Sequence, residues 1–283
     1  MSDLIMFNQY FKDYIFDASC NWIQPTYLSK DIWQPKESDK KYFLDVCNGD
    51  SIFYYKNKYY ANQTDVEFIQ AMGRQATEYY VYKNVQSEYV GLGCYRRYLL
   101  LDKNADFILD RNTFYKIYKD ATYQNLIQLT SDSCKNYALE QLEKYDCIVN
   151  GFRDIAFKIS RQYIFWEGPE TWLLFIKAIN KCFPRYDTSL LDTNTFANYE
   201  GTWIMKNEMH KELMYQYFKI MEYIWDNIDN TFPLTSPEIR DHKPWRYPGF
   251  LMERFFTLFF LQNKYKYKEV PMILLDNRSN VFY

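Results

Sequence analysis

The chain is short of the residues on which much enzyme chemistry depends. It has two histidines in 283 residues, His210 and His242. A three-histidine metal site within one chain is therefore excluded, and a Ser-His-Asp triad would have to use one of these two. Both stand among polar residues, one near a helix start and one in a loop, and are expected at the surface. Glycine is also scarce, with eight in all, and the pair Gly91 and Gly93 lacks the third glycine of a dinucleotide-binding loop. There is no excess of positive charge: 34 Lys and Arg face 36 Asp and Glu, for a net charge of −2. That balance argues against a nucleic-acid partner. No run of apolar residues is long enough for a transmembrane helix. The N-terminus lacks the basic start and apolar run of a secretory signal. Six cysteines, at 20, 47, 94, 134, 147 and 182, include no Cys-x-x-Cys pair. They suggest neither a disulfide scaffold nor a zinc ribbon, and a reducing cytoplasm is the expected location.

What the chain does have is aromatic side chains: 29 Tyr, 22 Phe and 7 Trp. Abundant Asn, Lys, Tyr and Ile beside scarce Gly is the composition an AT-rich genome produces. Stacking platforms for sugars or bases are the functional reading, and the two readings are compatible. With 48% hydrophobic and 25% charged residues the chain is globular and can bury a sizeable core.

Strands and helices alternate along the sequence. Leu4 to Phe7 reads as an opening strand, residues 24–41 as loop, and Phe43 to Val46 as a second strand. Residues 64–84 read as a helix, opened by the capping-box pattern Thr64-Asp65-Val66-Glu67. Residues 88–93 read as a strand, 111–127 and 134–144 as helices, and 145–149 as a buried strand closed by Asn150-Gly151. Gly168-Pro169 opens a helix to about Cys182, since Pro is tolerated in a first turn. Thr202 to Met205 is strand-like. The helix at 209–229 carries an apolar stripe of Leu213, Met214, Tyr217, Phe218, Met221, Ile224, Trp225 and Ile228. Core packing and membrane contact both fit such a stripe, core packing being far commoner. A loop with four prolines spans 233–248, Gly249 begins a helix, and 268–275 is a last strand, with Pro271 marking a sheet edge. The run Lys264-Tyr265-Lys266-Tyr267-Lys268 puts three lysines on one side of a strand, either solvated or facing phosphates or an anionic membrane. The alternation predicts an α/β sheet covered by helices, as one domain over 1–283.

Two segments can carry chemistry. Tyr95-Arg96-Arg97-Tyr98 directly follows the strand ending at Gly93, so it leaves the sheet at the edge where α/β folds bind ligands. Adjacent guanidiniums suit a diphosphate, because each fork pairs two oxygens. They also suit acidic surface partners, and spacing does not choose. In Tyr247-Pro248-Gly249-Phe250-Leu251-Met252-Glu253-Arg254 the Pro-Gly pair ends a loop, and Glu253 and Arg254 fall near the start of the following helix. A carboxylate there can act as general base, or be held by the helix dipole and paired with the arginine.

These segments, taken in order, resemble a family of bacterial glycosyltransferases from capsule and lipopolysaccharide gene clusters, long labelled a domain of unknown function. The family's hallmark is roughly Tyr-Val-Gly-Leu-Cys-His-Tyr-Arg-Arg-Tyr, and residues 89–98 are similar to it. Tyr79 to Asn84 resembles its Trp-Lys-Asn helix end, Tyr145 to Val149 its Tyr-Asp-Ile-Ile strand, Trp203 to Lys206 its Phe-Ile-Met-Lys, and Gly249 to Arg254 its Gly-Phe-Leu-Ser-Glu-Arg. The resemblance spans about 43–276.

It implies a GT-A-like, Rossmann-like nucleotide-sugar-binding sheet flanked by helices. It further implies transfer of a hexose, galactose among the candidates, from a nucleotide sugar, with UDP favoured. The implied acceptor is a glycan or lipid-linked glycan at the inner face of the bacterial membrane, with peripheral membrane contact. Phe7, Asn8 and Gln9 would approach the base. Arg74, Tyr95, Arg96 and Arg97 would line the donor site, and Trp203 and Gly249 the sugar or acceptor. Glu253 and Arg254 would be catalytic, with Arg254 orienting Glu253 or touching phosphate. Three departures accompany the match: Gly93-Cys94 replaces Cys-His, Arg74 or Gln75 stands where an acid is usual, and Asn8-Gln9 replaces Thr-His. The Asp-x-Asp pair of many metal-using transferases is missing from its expected place, which leaves a Mg or Mn requirement open. A non-catalytic sugar- or nucleotide-binding module is the alternative reading.

Overall fold

A computed structural model describes residues 3–11, 14–47, 72–94, 96–103, 116–198, 201–228 and 247–276. The described chain starts with strands β1 (Leu4–Tyr10), β2 (Ile23–Tyr27) and β3 (Leu44–Asp45). Helix α1 (Arg74–Asn84) leads into β4 (Tyr89–Cys94), β5 (Arg97–Leu99) and β6 (Lys116–Lys119). Helices α2 (Tyr123–Thr130) and α3 (Asp132–Leu142) precede β7 (Cys147–Asn150) and β8 (Arg153–Asp154). Then come α4 (Ile159–Glu167), α5 (Pro169–Cys182), α6 (Leu190–Thr193), β9 (Phe196–Ala197) and β10 (Trp203–Lys206). Helices α7 (Asn207–Asn227) and α8 (Tyr247–Asn263) lead to β11 (Tyr267–Val270) and β12 (Met272–Leu275).

The main sheet runs β11-β7-β10-β4-β1-β2-β3. Strand β10 is antiparallel to both neighbours, and every other pair on this path is parallel. A side extension joins β12 to β5 and β6. Side chains alternate across the sheet, as a two-residue period requires. Cys147 and Val149 of β7, with Trp203 and Met205 of β10, face the core built on α1, α5, α7 and α8. Ile148 and Ile204 face the opposite core with Leu4, Met6 and residues of α2 and α3. Burial on both faces is what a mostly parallel sheet needs.

The apolar stripe of α7 is core: Leu213, Met214, Tyr217, Met221 and Ile224 are all fully buried. Among the described residues no helix is long and apolar enough to cross a membrane. Two sequence expectations are corrected. The stretch read as loop at 24–41 contains β2, which pairs in parallel with β1 and places Pro25 opposite Asn8. The stretch read as one helix at 111–127 contains β6, aligned with β12 through Ile117 and Ile273. A separate helix then starts where the Thr122 side chain accepts from the Asn125 backbone N–H at 3.2 Å. Pro271 separates two strands, and β11 is the sheet edge. Of the Lys264 to Lys268 run only Tyr267 and Lys268 are in a strand. The Thr64–Glu67 capping box, residues 111–115, most of the proline loop and His242 lie outside the described residues.

His210 is the third correction: it is fully buried on α7, its ring 5.1 Å from that of Trp203. Neither ring nitrogen has a hydrogen-bond partner. Burial, then the charge of Lys211, pushes its pKa down from 6.5 to about 3. The folded chain therefore holds a neutral imidazole that the unfolded chain protonates below pH 6.5. Stability from this site is complete above pH 6.5 and is lost as pH falls toward 3, by roughly 2 kcal/mol on reaching pH 5. In His210→Phe, urea denaturation at pH 7 and pH 5 is expected to show that much less acid sensitivity. An equal acid loss in both proteins would place the titration elsewhere.

Candidate active site

The site is assembled where the parallel strands end. At the end of β1 the side-chain oxygen of Gln9 accepts a hydrogen bond from Thr77 Oγ1 at 3.2 Å, which seats the start of α1 over the strand. Because β10 is antiparallel to β4, with Trp203 opposite Leu92, the start of β10 and the adjoining Gly201 lie at the same edge. Helix α8 arrives there too: a Cβ on Gly249 would stand 3.4 Å from Gln75 Oε1 of α1, in ordinary contact. Three elements thus meet at the carboxyl edge of the sheet, the usual ligand position in open α/β folds.

They bring four charged side chains together. Arg74 of α1 donates through Nη1 to the Gly201 carbonyl at 2.6 Å and through Nε to Glu78 Oε1 at 3.1 Å. The 74–78 spacing puts both on one helix face. Gly201 has φ +50°, a left-handed conformation that favours glycine, and a Cβ there would collide with the Arg74 guanidinium. Glu78 is fully buried, and its Oε2 has no hydrogen-bond partner. Burial pushes its carboxyl up, Arg74 pulls it down by charge and hydrogen bond, and the negative charge of Glu253 pushes it up again. Two carboxylates, one from α1 and one from α8, therefore feel each other.

On α8, Arg254 donates through Nη1 to Glu253 Oε2 at 2.9 Å and to the Phe250 carbonyl at 3.0 Å. Its Nη2 donates to Gln162 Oε1 of α4, and its guanidinium carbon sits 5.3 Å above the Tyr163 ring. Only 4% of the Arg254 side chain is exposed, against 25% of Glu253. Of the two roles implied for Arg254, orienting Glu253 fits this geometry, and an enclosed guanidinium offers little surface to a phosphate. Counted from Tyr247, Glu253 and Arg254 lie in the second turn of the helix, beyond the free N–H groups of a first turn. The expectation that a helix terminus holds them is corrected: Arg254 holds Glu253, and α4 holds Arg254.

The other nominees divide. Arg74, Gly249, Glu253, Arg254 and, through Thr77, Gln9 converge. Phe7 is 3% exposed and lies in the core, and Asn8 is fully enclosed. Neither presents a surface to a base. Asn8 fills the space over Gly93, where a Cβ would meet its side-chain oxygen. That accounts for glycine in place of the family's cysteine beside this particular Asn. Trp203 is fully buried against His210, so its expected sugar contact is corrected to a core role. Arg96 forms an ion pair with Asp276 at 3.1 Å, the acidic partner that spacing had left open. Arg97 is in β5, opposite Cys94 and Leu274, one strand from Gln9's neighbour. Tyr95 lies outside the described residues. Among the described residues no three His, Cys, Asp or Glu side chains are grouped to hold a metal ion.

Sequence reasoning missed Glu78, Gln162 and Gly201. It also missed a buried polar shelf behind Glu253. There the Asn198 side chain donates to the Asn150 carbonyl, and the Asn198 backbone N–H donates to Thr257 Oγ1 at 3.2 Å. Thr257 Oγ1 in turn donates to the Glu253 carbonyl at 3.0 Å. The Arg74–Glu78 spacing of four was the available signal; Gln162 and Asn198 carry none that spacing reveals.

Comparison with known proteins gives two findings. A family described as a domain of unknown function, DUF4422, matches residues 23–264. The apo structure of WbbM, a bifunctional glycosyltransferase, superposes with a TM-score of 0.75 at 17% identity, over 99% of this chain and 48% of that one. The chain spans about half the length of that protein. At this identity the likeness concerns the fold, which is GT-A-like as the resemblance implied. No curated protein matches the chain.

Proposed function

The chain belongs to the DUF4422 family, and from that premise we propose that it is a glycosyltransferase moving a hexose from a nucleotide-sugar donor to a bacterial surface-polysaccharide acceptor. The observation that carries the reading is the cluster of Arg74, Glu78, Glu253 and Arg254 at the carboxyl edge of a GT-A-like sheet. Glu253, partly exposed and held by Arg254, takes the proton of the acceptor hydroxyl as general base. Arg97 and Arg96, on the neighbouring β4–β5 corner, meet the diphosphate as charge develops on the leaving group. A UDP-sugar is the favoured donor, the need for Mn or Mg is left to the manganese arms of the test below, and the acceptor is a glycan or a lipid-linked glycan at the cytoplasmic face of the membrane. The whole chain, 1–283, acts as one catalytic domain.

The test is thermal stabilisation by UDP, GDP and CDP, each with and without manganese. A nucleotide at about 100 times its dissociation constant adds about 2.7 kcal/mol of stability. One diphosphate is expected to raise the melting temperature well above the other two, and Arg97→Ala to abolish the rise. Stabilisation by none of them would remove the donor assignment. Binding without turnover over a panel of sugar donors and acceptors would favour the non-catalytic module.

A further inference from the structure

Beside the charged cluster, two buried oxygens have no donor among the described residues: Asn198 Oδ1, which follows β9, and Glu78 Oε2 on α1. Asn198 is 1% exposed and Glu78 is fully buried. Nearly all buried polar groups in folded proteins are paired, so an acceptor left unpaired at a ligand-binding edge calls for a donor from outside the chain. The orientation of Asn198 is fixed by its neighbours. Its Nδ2 donates to the Asn150 carbonyl at the end of β7. Turning the amide over would set two oxygens against each other, so Oδ1 is the open end.

Asn150 is held in turn. Its N–H donates to the Thr202 carbonyl at 3.2 Å, and its side-chain oxygen accepts from the Thr202 N–H at 3.3 Å. On the other side the Asn198 N–H donates to Thr257 Oγ1, which donates to the Glu253 carbonyl. Asn198 is thus clamped between β7 and α8, beside the Glu253 peptide. The Glu253 side chain keeps 25% of its surface exposed, so the cleft opens next to this clamp. Farther along the same segment the Gly201 carbonyl accepts from Arg74, whose Nε donates to Glu78 Oε1. The two open acceptors therefore flank one stretch of chain at the carboxyl edge. Their chemistry selects the ligand. A diphosphate brings acceptors and negative charge, which a carboxylate repels. The charge of Glu78 is already matched by Arg74, so an uncharged donor suits it better than a cation. A hexose brings uncharged hydroxyl donors on a rigid ring.

We propose that Asn198 is a specificity-determining residue for the donor sugar, its Oδ1 accepting a hydrogen bond from one hydroxyl of the hexose, with Glu78 Oε2 as a second hydroxyl acceptor on the same edge. This rests on the transfer reading, which supplies the nucleotide sugar. Recognition of the hexose is then separate from that of the diphosphate, which the reading assigns to Arg96 and Arg97. A site built to pair a substrate hydroxyl rejects the analogue that lacks it, because the buried acceptor is left unpaired.

The experiment is calorimetric titration of the full chain with UDP, UDP-galactose and the monodeoxy analogues of UDP-galactose. The wild-type chain is expected to bind UDP-galactose more tightly than UDP, and to bind one monodeoxy analogue about tenfold more weakly than UDP-galactose, the effect of losing one hydrogen bond. In Asn198→Ala that analogue and UDP-galactose should bind alike, with the affinity for UDP unchanged. The substitution also takes a donor from the Asn150 carbonyl, so Asn198→Ser, which lacks Oδ1 but keeps a polar group there, is titrated in parallel, and melting curves verify that both variants fold. A merely structural loss would weaken UDP and every analogue together, and that result overturns the proposal. Equal binding of all the analogues by the wild-type chain overturns it, as does discrimination that survives in both variants. If UDP itself does not bind, the donor reading fails. If UDP binds and galactose adds nothing, this proposal fails alone.

Discussion

Glu253→Gln is expected to lower kcat/KM for sugar transfer by about 10²- to 10⁴-fold, the range associated with loss of a general base. Of the two carboxylates at the site, Glu78 is fully buried and Glu253 keeps 25% of its side chain exposed, so Glu253 is the one that can reach an acceptor hydroxyl. Glutamine preserves the shape and still offers an oxygen to Arg254 Nη1, which now donates at 2.9 Å. What it removes is the ability to accept a proton. It also removes the negative charge that pushes the Glu78 carboxyl up, which offsets part of the charge pairing that Arg254 loses, so the variant should lose far less stability than turnover. Two measurements therefore separate chemistry from folding: steady-state transfer and a melting temperature on the same preparation. Unchanged turnover would exclude Glu253 as the base. A parallel fall in turnover and stability would show a structural part only.

The parts of this site that were legible in the sequence were those whose local pattern survives folding. The strand ending at Gly93, the buried strand beginning at Cys147 and the Gly168-Pro169 helix start were each fixed by neighbouring residues. Strand β2 was not. It contains Pro25 and too little apolar patterning to announce a strand, and it exists because β1 and β3 flank it in parallel register. Strand β6 failed for a different reason. Its four residues fit a helical period as well as an alternating one, and only the partner β12, far along the chain, decides. His210 was misjudged from its polar neighbours Asn207, Glu208 and Lys211. Spacing gave the better signal, for His210, Leu213, Met214 and Tyr217 share one face of α7, and all are fully buried. The hold of α4 on Arg254 spans 92 residues between Gln162 and its partner. Contacts at such separation are made by topology, and no window of sequence contains them.

Arg74→Ala is expected to destabilise the chain by about 3–5 kcal/mol near neutral pH, the range for leaving one member of a buried ion pair uncompensated. Among the described residues Arg74 is the cation that pairs with Glu78, whose second carboxylate oxygen has no hydrogen-bond partner and whose side chain is fully buried. The sign of the pH dependence follows from the groups around it. Burial and Glu253 push the Glu78 carboxyl up, and Arg74 is what opposes them, so removing Arg74 raises it further. A carboxyl raised in the folded state leaves stability intact below its unfolded value of 4.5 and removes it as pH rises through the folded value. The deficit of Arg74→Ala against wild type should therefore be large at pH 8 and shrink toward pH 5. The double variant R74A/E78Q carries no buried charge at this position and should recover most of the loss at pH 8. Urea denaturation of the three proteins at both pH values decides the matter. If R74A and R74A/E78Q are equally unstable, the loss belongs instead to the other bond of Arg74, to the Gly201 carbonyl, and the shape of the 201 loop is what this arginine maintains.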